Sequence, residues 1–213
     1  MNKIILPWFE AKPIINEGDV LLFRGQGWMS KVIGSQTQTP YSHVAVASWV
    51  NGDSNTLDGQ LECVEFREWK GGRSINLYQA VLDNLNSIDV YRPVPYFSKL
   101  EFNPETKQTE IVRKEFNGKK VTRVMREMTG LPYGWKRIWW MTKHKMVFIR
   151  LLPKENLADD KLKDIIYPVC STSLAYAFSR NDFDLLCNRS DESMEPGHIA
   201  YSPRINYLFT IGI

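Results

Sequence analysis

Between residues 18 and 92 the chain repeats one pattern, a short apolar run of strand length closed on each side by turn residues. Gly18-Asp19 introduces Val20-Leu21-Leu22-Phe23, and Arg24-Gly25-Gln26-Gly27 ends it. The polar run Ser35-Gln36-Thr37-Gln38-Thr39-Pro40 leads into His43-Val44-Ala45-Val46-Ala47-Ser48-Trp49, after which Asn51-Gly52-Asp53-Ser54-Asn55 turns the chain. Leu61-Glu62-Cys63-Val64-Glu65-Phe66 and Ile88-Asp89-Val90-Tyr91-Arg92 follow, each ending in polar or proline punctuation. Runs this short, rich in β-branched residues and bounded by Gly, Asn or Pro, read as strands. The pattern predicts an α+β fold whose first part is an antiparallel meander, with a short amphipathic piece near Met29 to Ile33.

The 213 residues, 43% hydrophobic and 12% aromatic, can bury one sizeable core. We read a single domain over 1–213, with a basic, aromatic-rich insertion at about 101–160. The 27 basic and 24 acidic residues leave +3, too little to make nucleic acid the default partner. Three cysteines (63, 170, 187) and three histidines (43, 144, 198) form neither a zinc spacing nor an even disulfide set, so no metal is expected. The odd cysteine fits a reducing compartment or a reactive thiol. The apolar run Ile4-Ile5-Leu6 is too short for a secretory signal, and Glu10 and Lys12 follow it. No window supplies the roughly eighteen apolar residues of a membrane span. The expected location is cytoplasmic at synthesis, with a virion, membrane or cell wall as later destinations.

The chemistry concentrates on Cys170. In Tyr167-Pro168-Val169-Cys170-Ser171-Thr172-Ser173-Leu174, a proline-marked start opens an apolar helical pattern and puts a thiol on its first turn. Unpaired amides at a helix start favour a thiolate and the oxyanion formed when it attacks a carbonyl. A thiol at such a place is equally compatible with a small buried core residue. A second observation comes from the strands. Pairing 43–49 with 61–67 about the intervening turn makes His43 and Glu65 neighbours, with Cys63, Glu65 and Arg67 on one face and Val64 and Phe66 on the other. A carboxylate beside an imidazole can fix its tautomer and stabilise its charge, although Glu65 also suits a solvated strand face.

The middle of the chain is less regular. Asn103-Pro104-Glu105-Thr106-Lys107-Gln108 reads as loop, and Val121 to Met128 as a helix that Gly130 stops, crowded by Lys119, Lys120, Arg123 and Arg126. Trp135-Lys136-Arg137-Ile138-Trp139-Trp140-Met141 interleaves aromatic and basic residues. That mixture suits core tryptophans with snorkelling cations, or peripheral contact with an anionic membrane, and least of all nucleic acid.

Gly130-Leu131-Pro132-Tyr133-Gly134-Trp135 followed by Val169-Cys170-Ser171-Thr172-Ser173-Leu174 resembles the paired signatures of NlpC-type papain-like cysteine peptidases, and Tyr41-Ser42-His43-Val44-Ala45-Val46 resembles that family's histidine strand. The histidine precedes the cysteine here, which is the order of the circularly permuted branch that includes the YiiX-like hydrolases and, more distantly, the lecithin retinol acyltransferase group. Gly18-Asp19-Val20-Leu21-Leu22, Val64-Glu65 and the tail Pro196-Gly197-His198-Ile199-Ala200-Tyr201-Ser202-Pro203 follow the same pattern in the same order. Val169 and Thr172 stand where that family commonly has an acidic residue beside the cysteine pair.

The resemblance implies a permuted papain-like fold, a β meander or barrel packed against the cysteine helix. It also implies a cysteine hydrolase that cleaves an amide through a thioester, without a metal or organic cofactor. Cys170 would be the nucleophile, His43 the base and Glu65 its orienting acid, while Tyr133 and Tyr41 would contact oxyanion or substrate. The substrates implied are peptides, peptidoglycan stem peptides first. An acyl ester or lipid, with hydrolysis or acyl transfer, is the alternative, and a catalytically silent binding module is the third reading. Cys63 and Cys187 read as structural and His144 as exposed. His198 would replace Glu65 only if the tail folds over the cleft, and Arg24 lies either at the cleft edge or in a salt bridge.

Overall fold

A computed structural model of the chain describes residues 3–25, 39–54, 59–85, 87–134, 169–186 and 194–213. The piece near Met29 to Ile33, the Trp-rich run 135–141, His144 and Cys187 lie outside the described residues.

The strands are β1 (Ile5–Pro7), β2 (Val20–Arg24), β3 (Tyr41–Val50), β4 (Gln60–Arg67), β5 (Gly71–Asn76), β6 (Ile88–Pro93), β7 (Tyr96–Asn103), β8 (Gln108–Glu115) and β9 (Ile205–Gly212). The helices are α1 (Trp8–Ala11), α2 (Leu77–Asp83), α3 (Gly118–Glu127), α4 (Cys170–Ser179) and α5 (Pro196–Ala200). Seven strands form one sheet in the order β1-β9-β6-β2-β3-β4-β5, and β7 pairs with β8 in a separate hairpin. The pairs of the large sheet are antiparallel apart from β1 with β9.

The expected meander holds for β2, β3 and β4 and continues into β5, but Ile88–Pro93 does not extend it. This strand pairs with the other side of β2, Val20 opposite Tyr91 and Leu22 opposite Asp89. The crossing is made by α2, whose Leu77, Ala80 and Val81 are buried and whose cap, Asn76, accepts the Tyr78 backbone N–H at 2.8 Å. Apolar residues spaced i, i+3, i+4 after an asparagine are a helix signal, and burying that stripe carries the chain across the sheet. The tail likewise forms β9, and the less regular middle, from about 101, opens inside the β7–β8 hairpin, whose turn falls within the expected loop 103–108.

Alternation along the strands builds two cores. Val20, Leu22, Val44, Val46, Val64 and Phe66 pack with Val121 and Met125 of α3 and with Leu174, Ala177 and Phe178 of α4. Leu21, Phe23, Ala45, Ala47, Leu61 and Cys63 pack with Ala11 of α1 and with Leu77, Ala80 and Val81 of α2. The start of α3 abuts the turn before β2. A Cβ on Gly118 would stand 1.9 Å from the Glu17 carbonyl oxygen, so only glycine permits this approach.

Candidate active site

Cys170 is the first residue of α4, and Val169 before it is extended, with φ −100° and ψ 171°. Three side chains shape this helix start. Thr172 Oγ1 accepts the Val169 N–H at 3.1 Å, Ser173 Oγ donates to the Cys170 carbonyl at 2.8 Å, and Ser171 Oγ donates to the Met194 carbonyl at 2.6 Å. The last bond fastens the cysteine turn to the segment entering α5. The four amides that open an α-helix lack intrahelical acceptors, so those at Cys170 and Ser171 belong to the donor-rich end of α4.

β3 and β4 deliver the other two groups. Ala45 lies opposite Glu65, so His43 sits diagonally from Glu65 and in phase with it. His43 Nε2 and Glu65 Oε2 are 2.6 Å apart, the carboxylate fully buried and the imidazole nearly so. The Phe23 ring lies 5.0 Å from that of His43. The Cys170 side chain interacts with His43 and favours its charged form. With Nε2 engaged by Glu65, Nδ1 is the ring nitrogen left for the thiol. Tyr133, 8% exposed, interacts with the Cys170 side chain as well. It is held in place from below, because Gly72 N–H donates to the Leu131 carbonyl at 2.9 Å and Gly130 N–H to the Gly72 carbonyl at 2.8 Å. The structure therefore gathers Cys170, His43, Glu65 and Tyr133 into one contiguous row.

One member escaped the sequence reading. Arg73 lies opposite Glu65 in the β4–β5 pairing, and its Nε and Nη2 donate to Glu65 Oε1 at 2.8 and 2.5 Å. Gly71-Gly72 opens β5 and weakens the strand signal over 71–76.

Tyr41 stands elsewhere. The β2–β3 register shifts between Phe23 and Arg24, which leaves Ser42 as a bulge and puts Tyr41 in phase with Val44 and Val46 rather than with His43. Its hydroxyl donates to Asp89 Oδ2 at 2.6 Å and lies 2.9 Å from the Tyr91 hydroxyl, so its proton is committed to Asp89 and not to an oxyanion. Arg24 also ends on Asp89, which settles its alternatives in favour of a salt bridge. His198 lies in α5 with Nε2 3.8 Å from Glu195, while Glu65 holds the position beside His43. Cys63 has no exposed surface, and burial followed by the charge of Glu65 pushes its thiol well up, consistent with a structural residue.

Burial opposes a charge on His43, but Glu65 beside it and the interaction with Cys170 outweigh burial and push its pKa up to about 10. Burial would raise Glu65, yet His43 and then Arg73 hold it down to about 2. Burial, with Cys170 next, pushes the Tyr133 phenol upward, so it stays a hydroxyl donor across neutral pH.

These shifts have a sign in stability. The His43 contribution is complete below its ordinary value of 6.5 and is lost as pH rises through about 10. The Glu65 contribution is complete above 4.5 and is lost as pH falls through about 2. Urea unfolding against pH is expected to plateau between those ordinary values. Glu65→Gln, which leaves two half-buried cations facing no carboxylate, is expected to remove the alkaline decline and cost about 3 kcal/mol.

No known protein family matches the chain, and no curated protein sequence matches it. Its fold is similar to a crystal structure of the metalloprotein YiiX from Escherichia coli O157:H7, described as DUF1105, with a TM-score of 0.53 and 13% identity over 93% of this chain and 99% of that one. At that identity the likeness concerns the fold, a mixed α+β arrangement.

Proposed function

We propose that the protein is a cysteine hydrolase of permuted papain-like type, acting on an amide bond in a peptide, with peptidoglycan stem peptides the leading class. The observation that carries this reading is the 2.6 Å His43–Glu65 pair gathered with Cys170, at the start of a helix, and with the buried Tyr133 that interacts with it. Each member supplies one need of acyl transfer. The Cys170 sulfur attacks the carbonyl carbon, and the carbonyl electron pair moves to oxygen, where the Cys170 amide and the Tyr133 hydroxyl donate to it. The proton on His43 passes to the leaving nitrogen as the C–N bond breaks, leaving a thioester. Neutral His43 then takes a proton from water as its oxygen attacks the thioester, and collapse releases the acid and restores the thiolate–imidazolium pair. Glu65 stays ionised throughout and holds the ring.

The word metalloprotein belongs to YiiX. Among the described residues of this chain no group of three or more His, Cys, Asp or Glu stands ready for a metal ion. The buried carboxylate of Glu65 is already faced by the Arg73 guanidinium, which repels a cation. Among the described residues no helix is long and apolar enough to cross a membrane.

Matched aminocoumarin amides and nitrophenyl esters of short peptides and fatty acids test the reading, with rapid-quench intact mass recording acylation. Amide turnover with an acyl adduct on Cys170 is expected, and Cys170→Ala should lower kcat/KM by about a thousandfold or more. Turnover of esters alone would move the proposal to the acyl-ester alternative. No adduct with any probe would sink it in favour of a silent module.

A further inference from the structure

The buried carboxylate of Glu65 is shared. Oε2 faces His43 Nε2 at 2.6 Å, and Oε1 takes both donors of Arg73, which comes from the next strand. A carboxylate gripped from opposite sides cannot rotate away from the imidazole, and a two-pronged guanidinium contact constrains it more than one hydrogen bond would. Arg73 is only 23% exposed at its side chain, so water screens the contact weakly.

We infer that Arg73 is a positioning residue of the proposed active site, acting through Glu65 to fix His43 and to balance the charge of the row. The inference rests on the cysteine-hydrolase reading and deepens it. With Cys170 as thiolate and His43 as imidazolium, the charges run minus, plus, minus, plus, ending on Arg73. Without that last cation the row carries a net negative charge, and every proton in it is held more tightly. Among the described residues, the other charged or titratable groups near this row are Cys63 and Arg67 on β4, Glu68 in the β4–β5 turn, and Tyr133. Arg67 is the nearest control: it is a cation on the same hairpin that acts on Cys63 but is no hydrogen-bond partner of Glu65.

The same hairpin serves the other end of the row. Gly71 and Gly72, immediately before Arg73, hold the Gly130–Leu131 backbone that leads to Tyr133. One two-stranded unit thus sets the residues on both sides of the thiol.

The test is the pH profile of Cys170 alkylation by iodoacetamide, read by peptide mass spectrometry, together with the His43 titration followed by side-chain NMR. Arg73→Gln is expected to move the acid limb of the profile and the His43 titration to higher pH by about one unit. Arg73→Lys, which keeps the charge, should return both to within about 0.3 unit while lowering the plateau rate about threefold, because one ammonium replaces a two-pronged fork. Arg67→Gln should leave the profile in place. Coincident profiles for Arg73→Gln and wild type would overturn the inference, and a shift in Arg67→Gln as large as in Arg73→Gln would reduce it to a general charge effect and overturn it equally. If Arg73→Gln does not fold, Arg73→Lys carries the test, since a plateau equal to wild type would refute positioning. A wild-type Cys170 with no accelerated alkylation at any pH is a different failure, that of the hydrolase reading itself.

Discussion

Replacing His43 by alanine is expected to slow iodoacetamide labelling of Cys170 at pH 7 about tenfold or more. An ordinary thiol is only a few per cent ionised at that pH, and only the thiolate reacts. In the wild type the neighbouring imidazole carries its proton well past neutrality and interacts with the Cys170 side chain, so it offers a cation at the place where the sulfur charge develops. The gain falls short of the full change in ionisation because a stabilised thiolate is a weaker nucleophile. Cys63 provides the internal reference, since it is fully buried with its thiol pushed well up and should remain unlabelled in both proteins. Equal labelling of Cys170 in wild type and His43→Ala would mean that the contact between them does not activate the sulfur.

Gly71→Ala is expected to be among the most damaging single changes to stability, costing about 3 kcal/mol and lowering Tm by about 6–12 °C. Two penalties act together. Gly71 has φ +68°, a conformation that L side chains rarely adopt, and a Cβ there would stand 2.3 Å from the Leu131 carbonyl oxygen. The obstructing atom is backbone, so no rotamer change relieves it. The segment displaced leads directly to Tyr133, and the amide assay should therefore lose kcat even at temperatures where the variant is folded. Gly130→Ala is the comparison. It shares a positive φ, +86°, but a Cβ there meets nothing within 4 Å, so its cost should be about 1 kcal/mol. Equal costs for the two variants would show that the hairpin does not press on the Leu131 segment.

Much of the site was legible along the chain because its parts are local. Val20 to Phe23, His43 to Trp49 and Leu61 to Phe66 are strands in the structure, since apolar runs between turn residues have few other ways to bury themselves. The His43–Glu65 neighbourhood follows from one hairpin, in which a turn sets the register and the period of two sets the face. Placing Cys170 at a helix start needed only Pro168 and the apolar pattern after it. Tyr41 shows where local reasoning stops. Strict alternation puts it with His43, and a single bulged residue, Ser42, sends it instead to Asp89. Nothing in Tyr41-Ser42-His43 announces a bulge, because it arises from how β2 and β3 pair.

The order of the strands and the completion of the site belong to the tertiary structure. Ile88–Pro93 is a strand by composition, but its place beside β2 depends on α2 burying Leu77, Ala80 and Val81 against the sheet. Arg73, 8 positions from Glu65 and on a glycine-led strand, becomes its partner only when β4 and β5 pair. Cys170 and His43, 127 positions apart by their numbers, meet because α4 packs on β3 through a shared apolar core. By itself the sequence determined four of the strands, the helix before Gly130, the helix that carries Cys170 and which residues bear reactive groups, since period and turn chemistry act over a few residues. Which of those groups meet was decided by long-range burial, whose driving force depends on area removed from water and is indifferent to distance along the chain.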